Sequence, residues 1–189
     1  TKEPNPIKQF FTRRAIIIGG VVVAANCAKE DIVILLNYVR KELKPKSIYI
    51  ETRNFNDFSP WKEAFEAAGF VYKPHLNFHV DPATNNLSDN RKRQLKKSDA
   101  VVTEGVSEVE IREWYKVLAE LYRTKVKTPL WPIDFFLEAY RQGIAKFLLV
   151  KHEGRIIGGS MVVADERTVY EWFECGLNAE CKDQYPSVM

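Results

Sequence analysis

The chain has 189 residues, of which 46% are hydrophobic and 28% charged, with a formal net charge of +3. That is ordinary globular composition and enough chain for one large domain or two small ones, while a charge this small excludes any argument for nucleic acid from bulk electrostatics alone. Three cysteines, Cys27, Cys175 and Cys181, form no metal-ligand pattern and suit free thiols in a reducing, cytoplasmic compartment.

Residues 1–12 carry two prolines and read as a lead-in. Arg13-Arg14 before the apolar run Ala15–Ala25 superficially resembles a twin-arginine or secretory signal. The run is too short to cross a membrane, and Ile and Val around a Gly pair suit a bent, buried strand, so no transmembrane segment is expected. Ile32, Leu35, Leu36, Val39 and Leu43 fall on one helical face, with Asp31 as the expected cap and Pro45 as the stop. Ser47–Thr52 alternates as a strand. Ser59-Pro60 is a cap followed by proline at the first helical position, and Gly69 closes that helix. Phe70–Tyr72 and Leu76–Val80 are expected as short strands. Asp81–Asn86 is rich in turn formers and is the expected linker.

Beyond it, Ser88 or Asp89 caps a short basic helix over Asn90–Lys97, and Ala100–Thr103 is a strand. Ser107 and Glu110 have the spacing of a capping box. The helix that follows places Ile111, Trp114, Tyr115, Leu118, Leu121 and Tyr122 on one face. Pro129 and Pro132 bracket Trp131, and a second helix turns Phe135, Phe136, Ala139 and Tyr140 inward before Gly143. From Lys146 to Leu177 three apolar runs are separated by Glu153-Gly154 and Asp165-Glu166, which predicts a three-stranded antiparallel meander with a bulge or bend at Gly158-Gly159. The stretch Arg14–Ala24 echoes Arg155–Ala164 around its Gly pair, so the two are expected to occupy equivalent places in related halves.

Read coarsely, the chain runs α-β-α-β-β after its first strand, then β-α-α-β-β-β after the linker. The second run is how the GNAT acyltransferase fold begins, and the first is how it ends. The order resembles the middle of a tandem pair, as in the Fem-type peptidoglycan aminoacyltransferases. Phe11–Gly20 is similar to that family's SRRAI-x-x-GG strand. Arg91–Lys97 leading into Ala100–Val102 resembles its basic helix, Leu121–Phe136 its helix–helix connection, and Gly154–Gly159 and Tyr170–Gly176 its central strands. The resemblance implies an α/β (α+β) fold with a mixed, mainly antiparallel GNAT-like sheet and flanking helices. Residues 1–86 would be the back half of one unit and 87–189 the front half of the next. It also implies an acyl- or aminoacyltransferase acting on an amine, with acyl-CoA or aminoacyl-tRNA as donor substrate and a small or lipid-linked amine as acceptor. The chain departs from the GNAT pattern where a Gly-rich turn should hold the donor's pyrophosphate: Leu177–Gln184 and Ala24–Asp31 contain no glycine. That departure suits an aminoacyl-tRNA donor better than acyl-CoA. The rival expectation is a non-catalytic fragment or binding module. Either half alone leaves a sheet edge and a helix face to cover, and a homodimer made by exchanging halves is one solution.

Within this frame Glu171 and Glu174 are the candidate catalytic carboxylates, either able to take a proton from an attacking amine. Strict alternation would put Glu171, Phe173 and Cys175 on one face and Trp172 with Glu174 on the other. Arg91, Arg93, Lys96 and Lys97 are candidate phosphate contacts on the basic helix, although a solvated face explains the same charges. Tyr122 and Trp131 are candidate substrate contacts, with core or groove wall as the plainer reading of Trp131. Cys175 reads as a buried thiol. No metal or resident cofactor is expected, because His75, His79 and His152 lack ligand spacing.

Overall fold

The computed structural model describes residues 7, 11–76, 78–84 and 87–189. Much of the expected lead-in, 1–6 and 8–10, lies outside the described residues, as do Asn77 and Asn85–Asn86. The chain divides into two compact units, residues 2–82 and 83–189.

In the first unit β1 (Arg14–Gly19) and β2 (Tyr49–Asn54) pair in parallel, Arg14 opposite Tyr49 through Gly19 opposite Asn54. The crossover is helix α1 (Lys29–Leu43). Its cap is Ala28 rather than Asp31, which sits one turn inside and accepts the Ala28 N–H at 3.1 Å. The expected strand to Ala25 stops at Gly19. Gly19 and Gly20 both take positive φ, 85° and 72°, and turn the chain out of the sheet. Val21 N–H then donates to Asn54 Oδ1 at 3.1 Å. Ser59 does not cap a helix directly. It opens a single 3-10 turn (Ser59–Trp61) and is held by Asp57, ahead of helix α2 (Lys62–Ala67). The core is small: Ile32 and Leu36 of α1 against Ala64, Phe65 and Ala68. The strands expected at Phe70–Tyr72 and Leu76–Val80 do not form among the described residues. Val71, Leu76, Phe78 and Val80 stand exposed, so no sheet face exists there for their alternation to serve.

The second unit opens with the basic helix α3 (Asp89–Lys97), capped by Ser88. Strands β3 (Val101–Glu104), β4 (Lys146–His152), β5 (Arg155–Ala164) and β6 (Val169–Gly176) form one antiparallel sheet in that order. Helices α4 (Glu108–Leu121) and α5 (Ile133–Arg141) pack on the sheet and share its main core with Phe147, Leu149, Met161 and Cys175 of the strands. The capping box is altered in detail. Ser107 accepts the Glu110 N–H, while Glu110 reaches back to the Val106 N–H and to Lys151. A π-helical turn, Tyr122–Val126, ends α4 and is closed by Lys127 at φ +58°; nothing in the sequence pattern announced it.

Trp114, fully buried, sits edge-on to Phe136 and Phe147 and donates its indole N–H to Gly159 O at 3.0 Å. Ile111, Leu118, Leu149 and Met161 surround it, each contributing roughly 1.5–3 kcal/mol by burial. A smaller cluster, Ala100, Val150 and Ile157, packs with Cys181 and Met189.

The meander forms as expected, with two refinements. Glu153 and Gly154 both take positive φ, 49° and 77°, as a type I′ turn requires. The second connection is four residues, Asp165–Thr168, closed by the Asp165 N–H to Thr168 O and by Asp165 Oδ1 accepting from Arg167 and Thr168. The ladder slips at Ile157, beside the glycine pair, and again at Trp172. The echo between Arg14–Ala24 and Arg155–Ala164 does not extend to structure. The first ends at its glycines and pairs in parallel, whereas the second runs through them between two antiparallel neighbours.

Candidate functional site

The slip at Trp172 decides where the two carboxylates point. Val162 pairs with Glu171, and the next residue back, Met161, pairs with Phe173, so Trp172 is an extra residue in β6. Strict alternation is therefore broken, which corrects the expectation that Glu171 and Glu174 lie on opposite faces. Phe173 and Cys175 pack into the main core with Trp114 and Phe136. Glu174 stands opposite Ser160 in the ladder, and the Ser160 hydroxyl donates to Glu171 Oε1 at 2.5 Å. Both carboxylates thus share the face turned away from that core, with Ser160 between them.

The segment after β6 completes the group. Gly158 and Gly176 are ladder partners, and the chain passes close over them. A Cβ on Gly158 would come within 3.1 Å of Pro186 Cβ, and one on Gly176 within 2.8 Å of Ser187 Oγ. This approach brings Ser187 to Glu174, whose carboxylate accepts the serine hydroxyl. Asn178 Nδ2 donates to Ser187 Oγ at 2.7 Å, and its Oδ1 accepts the Ser187 N–H at 3.3 Å. Burial pushes the Glu174 carboxyl above its ordinary range, the neighbouring Glu171 charge pushes it further, and the Ser187 hydrogen bond opposes both. Glu174 therefore holds a proton more readily than an ordinary surface carboxylate. Burial, and after it the Glu174 charge, push the Cys175 thiol up to about 12, so no thiolate nucleophile exists there at neutral pH.

The other candidates are not drawn to this group. Arg91, Arg93, Lys96 and Lys97 are exposed on α3, which buries no residue. Arg91 donates to Gln94 at 3.2 Å, and Ser98 and Gln184 bond together at the end of the helix. Among the described residues no hydrogen bond or ion pair joins any of the four to Glu171 or Glu174. Tyr122 and Trp131 belong to the helix side of the sheet. The Tyr122 ring lies 6.5 Å from Phe173, and burial raises its phenol. Trp131 stacks at 4.9 Å on Phe135, and its carbonyl accepts the Tyr115 hydroxyl. Ser160, Asn178 and Ser187 escaped sequence reasoning because only ladder register and chain return bring them to the carboxylates.

Among the described residues no group of three or more His, Cys, Asp and Glu converges to hold a metal, and no helix is long and apolar enough to cross a membrane. His152 Nε2 lies 3.3 Å from Asp99. A larger cleft, about 1420 Å³, belongs to the other unit and follows the free edge of β2. Its lining includes Tyr49, Glu51 and Arg53 of β2, where Glu51 accepts from both neighbours, together with Phe65, Phe70 and His79. No protein-family model matches this chain, and no curated protein sequence is similar to it.

Proposed function

We propose that the chain is a Fem-like or GNAT-like acyl- or aminoacyltransferase that acts on an amine, with Glu174 as general base. The observation that carries this reading is the convergence of Glu171 and Glu174 on one exposed sheet face, with Glu174 held above the ordinary carboxylate range. An amine is protonated at neutral pH and must lose a proton before it can attack. A carboxylate whose proton affinity is raised accepts it more readily. Glu171 supplies the second negative charge that attracts the ammonium, and the hydroxyls of Ser160 and Ser187 fix both carboxylates in place. The free amine then attacks the ester or thioester carbonyl of the donor. The C–N bond forms, the C–O or C–S bond breaks, and the leaving oxygen or sulfur takes up a proton. After β6 the chain forms turns and one 3-10 turn (Lys182–Gln184) without glycine, which supports an aminoacyl-tRNA donor over acyl-CoA. The exposed cations of α3 would then meet tRNA phosphates.

The rival reading, a binding module on the same scaffold, draws support from the hydroxyl partner that each carboxylate already has. The test is transfer from acetyl-CoA, Gly-tRNA or Ala-tRNA to lysine or putrescine, read by mass spectrometry of the acylated amine. The native chain should give product, and Glu174→Gln should lower the rate by roughly 10²–10⁴-fold. Absence of product with all three donors, or full activity in Glu174→Gln, would overturn the assignment.

A further inference from the structure

Strand β2 pairs with β1 along one edge and, among the described residues, with no strand along the other, where the cleft of about 1420 Å³ runs from Ser47 to Phe58. Tyr49–Asn54 contains no proline, its register with β1 has no irregularity, and the chain facing it across the cleft, at Val71, Tyr72 and His79, forms no strand among the described residues. An uncovered row of backbone N–H and C=O groups is a template for another strand.

The side chains say which strand fits. Tyr49, Glu51 and Arg53 alternate onto one face, and Arg53 Nε lies 2.6 Å from Glu51 Oε1. If an identical strand is laid antiparallel beside this one about a twofold axis at Thr52, Glu51 of each copy comes opposite Arg53 of the other. Four charges then alternate in sign on one face. Thr52 meets Thr52 of the second copy, which is a favourable cross-strand pair. Tyr49 comes opposite Phe55 of the second copy. A slide of two residues in either direction opposes Glu51 with Glu51 or Arg53 with Arg53, so the charges set the register as well as the partner. We propose that the free edge of β2 is a docking edge for a second copy of this chain, joined antiparallel about Thr52.

A contact of this kind is small and self-complementary, so the dimer should assemble at roughly 1–100 µM. The experiment is sedimentation velocity on the full chain across that range, with far-UV circular dichroism to check that each variant is folded. The native chain should pass from monomer to dimer. Glu51→Arg and Arg53→Glu each make the face single-signed and should weaken the dimer at least about tenfold. The double variant Glu51→Arg/Arg53→Glu restores alternation and should recover the native strength. A mixture of the two single variants, each monomeric alone, should form a heterodimer. A native chain that stays monomeric throughout overturns the proposal. So does a dimer of unchanged strength in both single variants, as exchange of halves would give.

Discussion

Gly159 offers the sharpest test of the second unit's packing. It lies in the middle of β5 at φ +143°, a value that favours glycine. A Cβ built there falls 2.3 Å from Leu148 O and 3.0 Å from Leu149 Cα. Both are backbone atoms of β4 and cannot swing aside. Ordinary contact begins near 3.4 Å, so the strands would have to part by about 1 Å. The Gly159 carbonyl also accepts the Trp114 indole N–H, so any shift loosens a buried hydrogen bond of the core. Strain at φ costs about 1–3 kcal/mol and overpacking about 1–3 kcal/mol, so Gly159→Ala should lose about 2–6 kcal/mol. Gly154 is the control. It has φ +77° with nothing within 4 Å of a Cβ, so Gly154→Ala should lose only the left-handed penalty, about 1–2 kcal/mol. Urea unfolding followed by tryptophan fluorescence reads mainly this unit, since Trp114, Trp131 and Trp172 belong to it and Trp61 alone to the other. If Gly159→Ala unfolds within about 0.5 kcal/mol of Gly154→Ala, the close approach of β4 and β5 is wrong.

Two further outcomes follow from titratable groups in the same unit. With its thiol at about 12, Cys175 should stay unlabelled by iodoacetamide at pH 8 in the folded full chain, while the half-buried Cys27 and Cys181 react; labelling of Cys175 before urea is added would contradict its burial. The Lys151 ammonium first, and the Val106 N–H second, hold the Glu110 carboxyl below its ordinary 4.5, so its stabilisation is present above that value and fades as pH falls through the lower folded value. Glu110→Gln should therefore cost about 1 kcal/mol at pH 7, as loss of a helix-cap partner does, and much less at pH 3; equal costs at both would refute the assignment.

What the sequence made legible was local. The helix over Ile32–Leu43, the cap at Ser107 and the turn at Glu153-Gly154 each depend on residues a few positions apart, whose preferences hold in any surroundings. What it hid depends on distant partners. Leu76, Phe78 and Val80 alternate as well as any strand, but a strand forms only against an edge, and these three stand exposed without one. Val21–Ala25 looks like a continuation of β1, yet the ladder ends where Gly19 and Gly20 turn and Asn54 takes the Val21 N–H. Similar residues around two Gly pairs therefore gave a strand end in one unit and a strand interior in the other.

The carboxylate pair shows the same limit at the site itself. Residues three apart on a regular strand face opposite ways, and counting alone separates Glu171 from Glu174. The extra residue that reunites them is Trp172, and both Trp172 and Phe173 pack against the helix-side core. Two consecutive large aromatic side chains cannot both face one side of an unbroken strand, so burying both demands an irregularity between them. Trp172-Phe173 was thus the available sign of a bulge. Reading it required knowing that the helix side was the buried one, which Cys175 settles: with Cys175 in the core, Phe173 must be there too and Glu174 must face outward. Glu171 follows from the other direction, through its pairing with Val162 and its bond from Ser160. The hydrophobic demand of Trp172 is therefore what places two like charges side by side, and burial first, with that proximity second, raises Glu174.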